Sequence, residues 1–67
     1  MRQIRLGQRY RKTGAVWTVW RVVGGGQESG GLRHYRIADE SDPSTTKLIS
    51  EKTLADPKLY ELIAEPQ

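Results

Sequence analysis

The stretch AVWTVWRVV, residues 15–23, is the longest apolar run in the chain and holds both tryptophans. Its density of β-branched and aromatic residues favours a β-strand. The two alternating sets of side chains are both largely apolar, because Trp17 and Val19 fall on one side and Trp20 and Val22 on the other. A strand with one solvated face would show one polar set. The pattern therefore predicts a long, bent strand in which a bulge changes the buried side.

The bend places the two tryptophans in different surroundings. We expect Trp17 and Val19 to point into the core, and the buried side to change near Trp20 and Arg21. Val22 then points inward again, while Trp20 and Arg21 are left at least partly exposed. Trp17 is thus predicted to be a core residue, and Trp20 is predicted to contact a partner.

Two further segments lie on either side of this stretch. In QRYRK, residues 8–12, alternation points Tyr10 inward and Arg9 and Arg11 outward. The segment GGGQESGG, residues 24–31, holds five glycines. This composition predicts a flexible hairpin loop after the long strand.

The second half of the chain begins with a return strand. In LRHYRIA, residues 32–38, Tyr35 and Ile37 share one face of the predicted strand. An acidic turn that contains Asp-Pro follows at residues 39–44. The segment TTKLIS, residues 45–50, is then predicted to form another short strand.

Two interpretations of the last residues stay open. Asp56 and Pro57 suit an N-cap followed by a first-turn proline, which favours one helical turn at residues 56–59. A short closing strand at residues 60–63 then fits the alternation around Glu61. The alternative is a two-turn C-terminal helix.

Sixty-seven residues are expected to make a single domain, 1–67, with residues 1–6 as a loose lead-in and residues 64–67 as a frayed tail. A chain this short buries only ~60% of the surface that its unfolded form exposes. It has no cysteine, which excludes disulfides and thiolate metal sites. It shows no apolar run that could cross a bilayer and no secretory signal, so the cytoplasm is the expected location.

Charge is distributed unevenly along the chain. Residues 1–36 hold eight Lys or Arg and one acid, a net charge of +7, and residues 37–67 hold three Lys and seven acids, a net charge of −4. A basic half can attract polyanions such as nucleic acid. The alternative is that the two halves neutralise each other across a small fold and leave no net patch.

Few residues offer catalytic or metal chemistry. His34 is the single histidine and has no partner at a spacing typical of a catalytic or zinc site. Asp39, Glu40 and Asp42 lie on a turn that lacks the ligand number and the glycine of a calcium loop. The glycine-rich segment lacks the Gly-Lys-Ser/Thr of a phosphate loop. We therefore expect no catalytic residue, no metal and no cofactor, and a protein that is not an enzyme.

Three segments carry a resemblance to known small barrels, which the strand pattern itself also suggests. They are LGQRYRKTGAVWTVWRVV (residues 6–23), LRHYRIADESDPSTTKLIS (32–50) and LADPKLYELI (54–63). With Gly14-x-x-Trp17-x-Val19 at the start of the long strand and Leu54-Ala55-Asp56-Pro57 before the last strand, the chain resembles small bacterial barrels of the Src-homology-3-like and Tudor-like type. The resemblance implies an all-β, five-stranded Src-homology-3-like barrel with a long bent second strand and a one-turn helix before the last strand. Members of that wider fold bind nucleic acid, methylated residues or proline-rich peptides, and the fold alone does not choose between these.

Basic and aromatic residues of the predicted strands form a candidate binding surface. It consists of Arg9, Arg11, Lys12, Trp20, Arg21, His34 and Arg36. Arginines beside an exposed ring suit phosphates and unstacked bases, because the cation reaches the backbone while the ring stacks. The sequence therefore predicts a non-catalytic binding module with nucleic acid as the leading ligand and no membrane or small-molecule cofactor as partner.

Two alternatives to nucleic-acid binding stay open. One is a module or accessory subunit that binds another protein through Trp20 and the acidic turn, or through the edge of the closing strand. In the other, Trp20 completes the core and the arginines pair with acids, namely Glu28, Asp39 and Glu40. The second alternative leaves no open basic patch on these strands.

Overall fold

One antiparallel sheet of five strands and one short helix form the fold of residues 3–15 and 17–66, which are the residues that this computed structural model describes. In chain order the elements are β1 (Arg9–Lys12), β2 (Val19–Ser29), β3 (Leu32–Asp39), β4 (Asp42–Ser50), α1 (Glu51–Leu54) and β5 (Tyr60–Ala64). The strands lie in the order β4-β3-β2-β1-β5, and each neighbouring pair is antiparallel. The prediction of an all-β, five-stranded fold with a single helical turn is confirmed. In this described part of the chain, no helix is long and apolar enough to cross a membrane.

The long strand β2 starts later than its apolar run predicts. Ala15 and Trp17 lie before the strand, and the Ala15 N–H donates a hydrogen bond to the Lys12 carbonyl at 2.9 Å. Val16, which the run places in the strand, lies outside the described residues. Pairing with β1 begins only at Val19. The first part of the apolar run is therefore used for the turn that brings β2 back along β1.

The glycine-rich segment is mostly strand rather than loop. Gly24 and Gly25 pair with β3, and register shifts on either side of them mark two bulges. Gly25 and Gly26 have φ angles of 113° and 88°, which glycine adopts without the strain that other residues meet. The prediction of a loop over residues 24–31 is wrong, because the turn is confined to residues 30–31. The predicted bend thus lies at these bulges, further along the strand than expected.

The two tryptophans differ in exposure, but Trp17 is the exposed one and Trp20 packs against the core. Trp20 lies directly opposite Tyr10 of β1, and residues paired in this way share a face of the sheet. Tyr10 is fully buried, and Trp20 packs, partly buried, against the same core. Trp17 is 94% exposed in the turn before β2. The prediction of Trp17 as a core residue is therefore wrong, since the register with β1 selects the inward side.

The buried side chains are drawn from every strand and from the helix. Tyr10 and Val22 point inward as predicted, and Tyr35 and Ile37, which were predicted to share a face, are both buried. The core cluster consists of Ile4, Tyr10, Val22, Tyr35, Ile37, Ile49, Leu54, Ala55 and Tyr60. Burying one such aliphatic or aromatic side chain stabilises a fold by about 1.5–3 kcal/mol. The short helix α1 therefore contributes to the fold chiefly through Leu54, which has no exposed surface.

The helical turn lies at Glu51–Leu54 instead of the predicted residues 56–59. Ser50 caps it, because its Oγ accepts a hydrogen bond from the Thr53 N–H at 3.2 Å. The Asp56 carboxylate caps the turn that follows the helix. The predicted last strand is present as β5, although it does not close the sheet, and the alternative of a two-turn C-terminal helix is wrong.

Gln8 joins the two ends of the described chain to the core. Its side chain is 1% exposed. The Oε1 atom accepts hydrogen bonds from the Arg5 N–H at 2.8 Å and from the Tyr10 hydroxyl at 2.9 Å. The Nε2 atom donates to the Gln3 carbonyl at 3.3 Å and to Glu65 Oε1 at 3.0 Å. Gln3, Arg5 and Glu65 are therefore tied to the fold by hydrogen bonds.

The sheet has two edges, β4 and β5, which do not pair with each other in the described residues. Lys47 of β4 lies opposite Ile37 and therefore points to the inner face. Its Nζ donates a hydrogen bond to the Tyr60 hydroxyl at 3.2 Å. The same Nζ lies 4.4 Å from the ring centroid of Trp20 and 5.8 Å from that of Tyr60. The sheet is thus not closed by backbone pairing, and one side chain spans the gap between its edges.

Candidate binding surface

Arg9 and Arg21 share their carboxylate partner on the outer face of the sheet. The two residues lie directly opposite each other on β1 and β2, where like charges repel. Glu40, in the turn between β3 and β4, accepts two hydrogen bonds from Arg9, through Nε and through Nη2 at 3.0 Å. It also accepts one from Arg21 Nη2 at 3.1 Å. One carboxylate therefore holds together two strands and a turn that are distant in the sequence.

The charge of Glu40 is favoured by these contacts. The hydrogen bond from Arg9 is the main cause that holds the pKa of Glu40 below its ordinary value. The bond from Arg21 acts in the same direction, and partial burial of the carboxylate opposes both. Glu40 consequently stays ionised at neutral pH and compensates one of the two guanidinium charges. Two of the predicted ligand-binding arginines are thus already paired.

Replacing Glu40 with glutamine is expected to lower the free energy of unfolding at neutral pH by about 1 kcal/mol. The variant leaves Arg9 and Arg21 as directly opposite cations without a carboxylate between them. A carboxylate with a lowered folded-state pKa stabilises a fold above its unfolded pKa, about 4.3, and this contribution is lost as the pH falls through the folded value. Wild type should therefore lose more stability than the variant between neutral pH and about pH 3.

Denaturant unfolding followed by circular dichroism at both pH values measures this difference. Glu61→Gln is the matched control, because Glu61 is exposed on β5 and its replacement should change stability by less than about 0.5 kcal/mol. An equal loss of stability on acidification in wild type and Glu40→Gln would contradict the role given to Glu40.

Arg11 and Lys12 lie apart from this ion pair, toward the edge strand β5. Arg11 is opposite Glu61, and its Nε atom is buried without a hydrogen-bond partner. Both cations line an open groove of about 450 Å³ together with Tyr60 of β5. Glu61, opposite Arg11, lines the same groove, so the groove carries two cations and one carboxylate.

His34 and Arg36 lie on β3, toward the glycine-rich hairpin. The Arg36 side chain is exposed and its Nη1 donates to Thr46 Oγ1 at 3.2 Å. His34 Nδ1 lies 3.2 Å from the Leu32 carbonyl. Trp20 faces the core on the other side of the sheet, so it does not lie among these cations as predicted. The seven predicted residues therefore do not form one continuous basic and aromatic patch.

The residue that the sequence misses is Trp17. It shares a shallow cavity of about 300 Å³ with Val19, Asp39, Glu40 and Ser41. A second cavity of about 300 Å³ adjoins the first through Asp39 and Glu40, and its other lining residues are Arg21, Val23, Ala38 and Pro43. We call Trp17, Val19, Val23, Asp39, Glu40 and Pro43 the Trp17 surface. The sequence signal for it was the Thr13-Gly14 turn, which leaves the next residues outside the strand.

The acidic turn beside Trp17 is held by its own hydroxyl groups. Asp39 Oδ1 accepts hydrogen bonds from the N–H and the Oγ of Ser41 at 2.9 and 2.8 Å. Asp42 accepts from Ser44 and Thr45 hydroxyls, both at 2.7 Å, and these bonds, that of Ser44 first, hold the pKa of Asp42 below its ordinary value. Of these two carboxylates, Asp39 lines the Trp17 surface, and Asp42 holds the start of β4 next to it. Within residues 3–15 and 17–66, no group of three His, Asp or Glu side chains is placed to hold a metal ion.

Comparison with protein-family models, with curated proteins and with solved structures finds no match to this chain. The fold described above is an open, five-stranded antiparallel sheet with one helical turn. Any assignment of function consequently has to come from the surface chemistry of the chain itself.

Proposed function

We propose that the protein is a non-catalytic module that binds an extended segment of another protein through the Trp17 surface. The observation that carries the proposal is the 94% exposure of Trp17, in a chain whose other tryptophan packs against the core. A large exposed aromatic ring contributes nothing to the core and is the residue type most enriched at the centres of protein interfaces. Trp17 is therefore the anchor that a partner would cover.

The surroundings of Trp17 suit an apolar contact. Val23 is 46% exposed, and Pro43 lines the same cavity. Between these apolar parts, Glu40 is already satisfied by Arg9 and Arg21. Covering Glu40 therefore does not leave its carboxylate unpaired, and an unpaired buried charge is costly when an interface forms. An extended partner segment with apolar side chains at both ends of the surface fits this arrangement.

The fold type belongs to the same proposal. We favour a Src-homology-3-like barrel in which the edges approach without pairing, and the support for it is the contact between Lys47 of β4 and Tyr60 of β5. Barrels of this size present turns and outer faces for binding instead of enclosed pockets. A cytoplasmic location remains a prediction from the sequence.

Single-stranded nucleic acid is the second candidate ligand. Arg36 and Lys12 are exposed, and Arg11 is half-buried next to Lys12. Such cations can contact phosphates. The pairing of Arg9 and Arg21 with Glu40 weakens this candidate, because polyanion binding depends on the number of cations that are free to replace counterions, and Glu40 compensates one of these two charges.

The proposal is tested with a displayed library of short peptides selected on the wild-type protein. Trp17→Ala is expected to weaken the selected peptides by roughly thirtyfold, the scale of a tryptophan hot spot. It should leave the free energy of unfolding within about 0.5 kcal/mol of wild type, since the side chain has almost no contacts to lose. Leu32→Ala is the matched control, because Leu32 is also an exposed apolar residue but lies in the hairpin.

NMR amide shifts locate the binding. Shifts confined to Trp17, Val19, Val23 and the 39–43 turn support the proposal. Peptides that bind Trp17→Ala as tightly as wild type would overturn it. A titration with oligothymidylate at low and raised salt decides the second candidate. Shifts at Arg11, Lys12 and Arg36 that fade steeply with salt would favour nucleic acid instead.

A further inference from the structure

Lys47 occupies an unusual position for a lysine on an edge strand. It points to the inner face of the sheet, where its neighbours across β3 and along β4 are Ile37 and the buried Ile49. An inward lysine on an edge strand is costly unless its ammonium finds partners, because burial removes it from water. Lys47 finds them on the other side of the gap between the two sheet edges.

The partners of the ammonium come from two different strands. The Tyr60 hydroxyl, at the first residue of β5, accepts its hydrogen bond at 3.2 Å. The Trp20 ring of β2 lies with its centroid 4.4 Å from Nζ, well within the range of a cation–π contact. The Tyr60 ring, at 5.8 Å, lies near the limit of that range. The ammonium thus contacts the far edge and the centre of the sheet at once.

We propose that Lys47 is a cationic latch that holds the two open edges of the sheet together. The backbone pairing of the sheet ends at β4 on one side and at β5 on the other, and these strands do not pair with each other. The polar bridge between them is formed by this ammonium and its aromatic partners, beside an apolar core that Ile49 of β4 and Tyr60 of β5 share. Loss of the charge releases the β4–β5 gap while the central pairing of β2 with β3 persists.

The latch also prevents the backbone of the edge strands from pairing with other chains. An open edge strand presents unpaired N–H and C=O groups that can pair with a second chain, and inward-pointing charges are one of the devices that prevent this. In the latched state the Lys47 side chain holds β4 next to β5. Once released, each becomes accessible to a second copy of the chain, so the unlatched protein self-associates as its concentration rises.

Lys47→Met tests the latch, because methionine keeps an unbranched side chain of similar length and removes the charge. We expect amide exchange of the β5 residues that pair with β1 to become roughly tenfold faster, while exchange at the β2–β3 pairs stays unchanged. Sedimentation at rising concentration should then show dimers or larger species that wild type lacks. Lys47→Arg, which restores a cation that can stack on Trp20, should recover most of the protection.

Lys58→Met is the matched control, since Lys58 is exposed in the turn before β5 and lies off the bridge. The proposal is overturned if amide exchange at β5 is as slow in Lys47→Met as in wild type. It is also overturned if exchange in Lys47→Arg is as fast as in Lys47→Met.

If Lys47→Met does not fold, NMR of the wild-type protein provides a separate test. Ring currents of Trp20 should shift the ε-methylene and ammonium resonances of Lys47 upfield of those of Lys52 and Lys58. Coincident resonances would contradict the latch.

Discussion

Replacing Gly25 with alanine is expected to unfold the domain or to leave it only marginally folded. The added Cβ would lie 2.5 Å from the Tyr35 Cα and 2.7 Å from the His34 carbonyl oxygen. Both atoms belong to the backbone of β3, so no side-chain rotation relieves the clash. The φ of 113° adds strain for any residue other than glycine. Together these effects cost about 3 kcal/mol or more, against a total stability of roughly 3–10 kcal/mol for a chain of this length.

Denaturant unfolding followed by tryptophan fluorescence measures this loss, and the neighbouring glycine provides the control. An alanine Cβ at Gly24 would lie 4.0 Å from the nearest atom, the Arg36 Cβ, which is ordinary contact. Gly24→Ala is therefore expected to change stability by no more than about 0.5 kcal/mol. Equal stability of the two variants would show that the bulge at Gly25 is not the close backbone approach described above.

Replacing Gln8 with leucine is expected to lower the free energy of unfolding by about 2–4 kcal/mol. The side chain is almost fully buried, and its amide group joins Gln3, Arg5, Tyr10 and Glu65. Leucine fills a similar volume but offers no donor or acceptor, so the Arg5 N–H and the Tyr10 hydroxyl lose the acceptor that they share. The variant should also release both chain ends, because no other described side chain contacts all of these residues.

Thermal and denaturant unfolding measure the stability of this variant, and limited proteolysis measures the release of the ends. Gln27→Leu is the control, since Gln27 is exposed on β2 and its replacement should change stability by less than about 0.5 kcal/mol. A Gln8→Leu protein as stable as Gln27→Leu would contradict the role of the amide as the link between the two ends.

The inward residues of the short strands could be predicted because their pattern is local. Tyr10, Tyr35 and Ile37 each alternate with a charged neighbour, and a period of two leaves only one apolar face to bury. The helical turn before the last strand was predicted in kind but placed too late. Asp56-Pro57 is a strong N-terminal signal, yet Ser50 provides the cap and Asp56 instead stabilises a turn.

The tryptophans and glycines could not be placed from local pattern. Both alternating sets of the 15–23 stretch are apolar, so periodicity offers no choice between Trp17 and Trp20. The pairing of Trp20 with Tyr10 makes that choice, and it depends on a strand that lies elsewhere in the sequence. Three consecutive glycines are typical of a loop, but pairing with β3 turns them into bulges of a strand.

The candidate surface, too, could be predicted only in part from local sequence. The acidic turn and the arginines of β1 and β2 were recognised from their charges, whereas their union at Glu40 requires residues 9, 21 and 40 to meet in space. The exposure of Trp17 likewise follows from where β2 begins, which strand pairing decides. Lys47 carried no signal of an inward position, since lysine is ordinarily a surface residue.

By itself the sequence determined an all-β chain, the inward residues of its short strands and a concentration of positive charge in the first half. These properties follow from residue type and from a period of two, which act between neighbours in the chain. The tertiary structure alone decided which tryptophan is exposed, which cations are neutralised and how the sheet edges are held. The reason is that each of these depends on cross-strand register, and register is set by contacts between residues far apart in the sequence.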